Sequence, residues 1–159
     1  MFALSGCGYH LAGTGSSLPD HIQTIGLPIF TNNTQGYQVE QKITDRIQTV
    51  LIQRGKYKVV PETEGVDALL KGTLNSVTLA PVTFDSDGIA TDYSVIITAK
   101  VTFTDQIDKK ILFQNPSFVF RGQYSINQNE IYFDKQSAAL DEIAQDFAES
   151  VVSAILEGF

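Results

Sequence analysis

The stretch that decides the fold reads ATDYSVIITAKVTFT and runs from Ala90 to Thr104. From Tyr93 to Phe103 every second residue is apolar, whereas the residues between them are mostly serine, threonine and lysine. Successive side chains of a β-strand point to opposite faces of the sheet. The pattern therefore predicts a strand with one buried face and one largely polar face.

Further strands are predicted on both sides of this stretch. Residues 68–79 precede it and residues 111–124 follow it, each with apolar and polar residues in strand-like order. Asp87-Gly88 is a dipeptide typical of tight hairpin turns. Pro81 and Asn115-Pro116 are expected to break the flanking strands, because proline cannot donate a hydrogen bond to a sheet.

Two other segments have the helical period of 3.6 residues. Their apolar stripes consist of Val39, Ile43, Ile47, Val50 and Leu51 in the first, and of Leu140, Ile143, Ala144, Phe147, Val151 and Ile155 in the second. Short strands in residues 22–30 and 57–60 flank the first helix, an order that favours a right-handed parallel crossover. We therefore predict an α+β fold in which two helices pack on one face of a mixed, mostly antiparallel sheet of about four to five strands.

Leu4-Ser5-Gly6-Cys7 has the pattern of a bacterial lipobox, an aliphatic residue and two small residues before a cysteine. Cys7 is thus predicted to carry a lipid, although a free thiol near a chain terminus is the alternative. A secretory leader contains a long apolar segment, so we expect the leader to be missing from this sequence. Residues 8–20 are rich in glycine, serine and threonine. We assign residues 1–20 to a lipobox remnant and flexible tether, and residues 21–159 to a single domain.

The composition restricts the function of the chain. Its 159 residues carry a formal net charge of −7, which argues against nucleic acid, since such binding depends on clustered lysine and arginine. The only histidines are His10 in the tether and His21 before the first strand, and neither is expected to be held in a packed site. No nucleophile motif and no metal-ligand spacing is present, so we predict a protein that is not an enzyme and binds no metal or cofactor. A glycan hydrolase with paired carboxylates is the catalytic alternative.

Three basic residues fall inside predicted strands, namely Lys71, Lys100 and Arg121. On one sheet face they would form a site for an anionic ligand such as a phosphorylated glycolipid. We expect Lys100 and Arg121 to lie within one side-chain reach of each other. The alternative is that each extends separately into solvent.

Several motifs resemble the lipopolysaccharide-assembly lipoprotein family, LptE. They are Cys7-Gly8-Tyr9-His10-Leu11, the segment from Leu18-Pro19 through Ile22, Ile25, Pro28 and Phe30 to Asn32 and Thr34, and Ala68-Leu69-Leu70-Lys71-Gly72. The resemblance implies an LptE-like domain of two helices on a mixed sheet, anchored through Cys7 in the outer membrane on its periplasmic face. It also implies that the protein plugs the large LptD β-barrel, helps it to assemble and binds lipopolysaccharide. The alternative is a generic periplasm-facing lipoprotein module that binds another envelope complex.

Overall fold

The computed structural model of the protein describes residues 18–36, 38–55, 57–125 and 132–157, with side chains in the last range described from residue 140 onward. Cys7 and the tether up to residue 17 lie outside the described residues. The elements in chain order are β1 (Thr24–Gly26), β2 (Thr31–Asn32), α1 (Val39–Gly55), β3 (Lys58–Val60), β4 (Ala68–Phe84), β5 (Ala90–Asp105), β6 (Lys110–Ser125) and α2 (Tyr132–Glu157).

The strands form one mixed sheet in the order β3-β1-β4-β5-β6, with β2 paired to β4. β1 lies parallel to β3 and β4, whereas the long strands β4, β5 and β6 are antiparallel. This arrangement confirms the predicted α+β fold. In the described residues the sheet has six strands, one more than the four to five predicted, because Thr31 and Asn32 form the additional two-residue strand β2, with Thr31 opposite Thr73.

The helices cover one face of the sheet, which we call the inner face. Five alternate residues of β5 are at most 1% exposed there: Val95, Ile97, Ala99, Val101 and Phe103. Phe147 of α2 packs edge-on against Phe118 and Phe120 of β6, with ring centroids 5.8 Å apart in both pairs. The alternation of apolar and polar residues in β5 therefore reflects the burial of one face of the strand beneath the helices.

The two helices also contact each other through two ion pairs. The Lys42 ammonium lies 2.7 Å from the Asp141 carboxylate, and the Arg54 guanidinium lies 2.6 Å from the Glu157 carboxylate. These pairs are partly exposed, so each contributes little stability by itself. Of the described helices, none is both long and apolar enough to cross a lipid bilayer.

The predicted breaks at the prolines are wrong. β4 continues through Pro81 and β6 continues through Pro116. Beyond Leu74, β4 has no second strand neighbour in the described part of the chain, and the register shifts next to Pro81. β6 is an edge strand, and its register shifts between the partners of Ala99 and Val101, where Pro116 lies. Edges and register shifts are the places where a sheet tolerates proline.

Candidate functional site

The face of the sheet opposite the helices, which we call the outer face, is polar and has no described helix packed on it. The even-numbered residues of β5 lie here, and they pair with outward residues of β4 and β6. Many of these outward side chains carry hydroxyl groups, among them Thr73, Thr98, Thr102 and Thr104. The outer face is therefore a broad surface that can offer hydrogen bonds to a ligand.

Lys71 and Lys100 come together on the outer face. Lys71 of β4 pairs with Thr102, and Lys100 of β5 pairs with Thr73, so the two lysines are diagonal neighbours on adjacent strands, with backbones roughly 7 Å apart. With Gly72, the same four residues line a shallow cavity of about 250 Å³. Both lysine side chains are exposed.

A glycine is required beneath this cavity. A Cβ atom placed on Gly72 would lie 2.0 Å from the ring of Phe30, which is itself only 2% exposed. Because real Cβ atoms cannot approach a ring so closely, Gly72 allows Phe30 to fill the inner layer directly behind the two lysines. The absence of a side chain at Gly72 therefore lets Phe30 pack against β4 at the same point where Lys71 and Thr73 line the cavity on the outer face.

The chemistry of the cavity suits an anion. Two lysines and two threonines line it, and no acidic residue is among the lining residues. Lysine engages phosphate as a point charge, and charge-assisted hydrogen bonds are stronger than neutral ones. With an overall charge of −7, the cavity can attract an anion only at short range.

Arg121 shares the outer face but is not brought into the cavity. It pairs with Ile96, four residues before Lys100 along β5, a separation of about 13 Å at the usual rise of a strand. The expectation that Lys100 and Arg121 lie within one side-chain reach is therefore wrong. Alternation predicts the face of each residue, but the register that separates them depends on the turn and on the register shifts in β6.

Sequence reasoning missed a hydrogen-bonded pair near the N-terminal end of the described chain, formed by the partly exposed His21 and the buried Asp105. The Nε2 atom of His21 lies 2.7 Å from Oδ2 of Asp105, whose side chain is 1% exposed. The other carboxylate oxygen accepts hydrogen bonds from the backbone N–H groups of Ile107 and Asp108. We call the contact between His21 and Asp105 the N-terminal latch, because it fixes the end of the tether to the turn between β5 and β6. Only the long sequence separation of the pair hid it from sequence analysis.

The latch holds its carboxylate in the charged form. Burial by itself would raise the pKa of Asp105, but hydrogen bonds from the Asp108 N–H, the His21 ring and the Ile107 N–H together lower that pKa. One carboxylate oxygen of Asp108 lies within 4.8 Å of the ligand atoms of His21 and Asp105. Both oxygens of Asp105 already accept hydrogen bonds from the protein, so we interpret the cluster as a structural latch.

Comparisons with known proteins identify the family of the chain. A family model described as "LptE: Lipopolysaccharide-assembly" matches residues 22–155. No curated protein matched the sequence significantly.

Several solved structures are similar to this chain. The hypothetical protein CT253 from Chlamydia trachomatis has 7% identity and a TM-score of 0.56, over 85% of this chain and 98% of that one. The PelC dodecamer from Paraburkholderia phytofirmans has 11% identity and a TM-score of 0.52, over 91% of this chain and 94% of that one. Rare lipoprotein B from Shewanella oneidensis has 11% identity and a TM-score of 0.49, over 85% of this chain and 95% of that one. Because the identities to CT253 and PelC are so low, these two similarities concern the fold alone.

Proposed function

The chain belongs to the lipopolysaccharide-assembly family LptE, and from this membership we propose that it is an outer-membrane lipoprotein that serves the LptD barrel. In this proposal it plugs the barrel lumen, helps the barrel to assemble and binds lipopolysaccharide on its way to the cell surface. The family match over residues 22–155 is the observation that supports the proposal. LptE is a family of non-enzymatic lipoproteins, in keeping with the predicted lack of catalysis.

The proposed anchor is a lipid on Cys7, in the inner leaflet of the outer membrane. One acyl chain gives only marginal membrane binding, so a stable anchor requires two or more chains. Between Cys7 and the latch at His21 there are at most about 50 Å of extended chain. The latch would therefore hold the end of the sheet that contains the turn between β5 and β6 within this distance of the membrane.

The proposed ligand site is the cavity between Lys71 and Lys100. Lipopolysaccharide presents phosphate groups on a sugar scaffold, and the cavity offers two ammonium groups and two threonine hydroxyls. Arg121 lies farther along the same face, where it would contact a second anionic group of a long ligand. A headgroup bound along the outer face would not contact the helices, because they pack on the inner face.

Removal of the two cavity charges should weaken lipopolysaccharide binding. We expect the double variant Lys71→Gln, Lys100→Gln to lose about tenfold or more in affinity, because 1.4 kcal/mol of lost charge-assisted contacts is a factor of ten. Titration of fluorescently labelled lipopolysaccharide measures the change. Arg121→Gln should have a smaller effect.

The matched control is the double variant Lys58→Gln, Lys110→Gln. Both lysines are exposed and outside the cavity, so this variant changes the net charge equally without changing the proposed site. Equal affinities of the two double variants would show that only overall charge matters. That result would exclude the cavity as the binding site.

A further inference from the structure

The β4–β5 hairpin carries exposed apolar side chains at and near its turn. We call residues 76–94 the distal arm, because in the described part of the chain β4 has no strand neighbour other than β5 beyond Leu74. At the tip, Phe84 is 57% exposed and Ile89 is 60% exposed, and farther along the arm Leu79 and Val82 are each 49% exposed. Exposed apolar groups concentrated in one place mark an interaction surface more often than single exposed residues do.

The tip is held in a fixed shape. Oδ1 of Asp85 accepts hydrogen bonds from the backbone N–H groups of Asp87 and Ile89, both at 2.9 Å. Gly88 adopts a φ of +77°, which closes the turn. Next to the turn, the Ser125 hydroxyl of β6 donates to the carboxylate of Asp92 on β5. A tip that is already ordered loses less conformational entropy when it binds.

The charge of the arm favours one kind of partner. Residues 72–99 contain no lysine, arginine or histidine, whereas the arm contains Asp85, Asp87 and Asp92. A complementary surface would combine an apolar recess with a basic rim. The acidic turn would instead be repelled by an anionic lipid surface.

The free edge of β4 also favours a protein partner over lipid. The backbone N–H and C=O groups of residues 75–84 that point away from β5 have no strand neighbour among the described residues. Acyl chains cannot accept or donate hydrogen bonds, so burial of such an edge in hydrocarbon is costly. A protein surface can satisfy these groups.

The tip of the arm and the N-terminal latch lie at opposite ends of β5. The latch holds Asp105 at one end of β5, and the hairpin turn lies beyond Ala90 at the other end. Ala90 and Asp105 are fifteen positions apart along the strand, a distance of about 50 Å. The apolar tip and the point where the tether joins the domain are therefore at opposite ends of the sheet.

From these observations we infer that the distal arm is a docking surface for a protein that offers an apolar recess with a rim of lysine or arginine. This goes beyond the proposed function, because the partner is defined by its chemistry and not by family membership. Phe84 and Ile89 would enter the recess, and Asp87, which is exposed, would face the basic rim.

The test is photocrosslinking of the full-length lipidated protein in its native host. A photoreactive benzoylphenylalanine replaces Ile89, and the matched control replaces Ile107, which is 54% exposed in the turn at the opposite end of β5. We expect the probe at position 89, but not at 107, to crosslink a protein through a peptide in which apolar residues neighbour lysine or arginine. Asp87→Lys in the same chain should lower the crosslink yield about fivefold or more, because it places like charges together.

The inference is overturned if the probe at position 89 crosslinks only lipid, only a second copy of this chain or nothing, or if Asp87→Lys leaves the yield unchanged. Thermal unfolding of each variant establishes that it is folded before crosslinking. The outcome is independent of the proposed function. A basic-rimmed partner crosslinked at position 89 supports the arm whether or not LptD is recovered, whereas purification with LptD without a crosslink at position 89 overturns the arm and supports the barrel assignment.

Discussion

Cys7→Ala in the full-length precursor should transfer the protein from the membrane fraction to the soluble periplasmic fraction. The thiol is the proposed site of acylation, and each buried methylene of an acyl chain contributes about 0.8 kcal/mol to membrane binding. No described helix can replace this attachment by crossing the bilayer. We therefore expect nearly complete loss from washed membranes, measured by immunoblotting of both fractions.

Ser16→Ala is the matched control for the anchor. It changes a small polar residue of the tether but leaves the lipobox intact, so the protein should stay in the membrane fraction. If Cys7→Ala also stays there, the anchor assignment is wrong. Mass spectrometry of the wild-type N-terminal peptide provides a second readout, because an acylated cysteine adds the mass of its lipid.

Phe147→Ala should lower the free energy of unfolding by about 3–5 kcal/mol, the usual range for a buried phenylalanine. The side chain is fully buried and packs edge-on against Phe118 and Phe120. Its removal would leave a cavity between α2 and β6 at the centre of the inner layer. Urea denaturation of the purified domain, followed by circular dichroism, measures the change.

Phe84→Ala is the control for this packing. Phe84 is 57% exposed at the tip of the distal arm, so its truncation should change the stability by less than about 0.5 kcal/mol. Equal losses in the two variants would mean that α2 does not pack on the sheet as described. A much smaller loss for Phe147→Ala would have the same meaning.

The fold could be predicted from the sequence where the period is strong. The alternation from Tyr93 to Phe103 reports a strand covered on one face, and the stripe containing Phe147 reports the helix that covers it. The predicted strand breaks at Pro81 and Pro116 were wrong, because a proline interrupts a strand only if both edges of that strand are paired. Whether an edge is free depends on the other strands, which the local sequence does not show.

The candidate site was only partly predictable. Strand alternation places Lys71, Lys100 and Arg121 on one face, but the register decides which of them are neighbours. The latch between His21 and Asp105 joins residues 84 positions apart, and no local pattern encodes such a pair. The exposed tip of the distal arm was hidden for a related reason, because exposure depends on where neighbouring strands and helices end.

We propose that this member of the LptE family acts as a partner of the LptD barrel. The most direct test is purification of the tagged full-length protein from the outer membrane of its native host, after mild crosslinking and extraction in detergent. We expect recovery of a stable complex with LptD as the principal partner. Recovery of the protein alone or with a different envelope complex, while LptD stays in the unbound fraction, would contradict it.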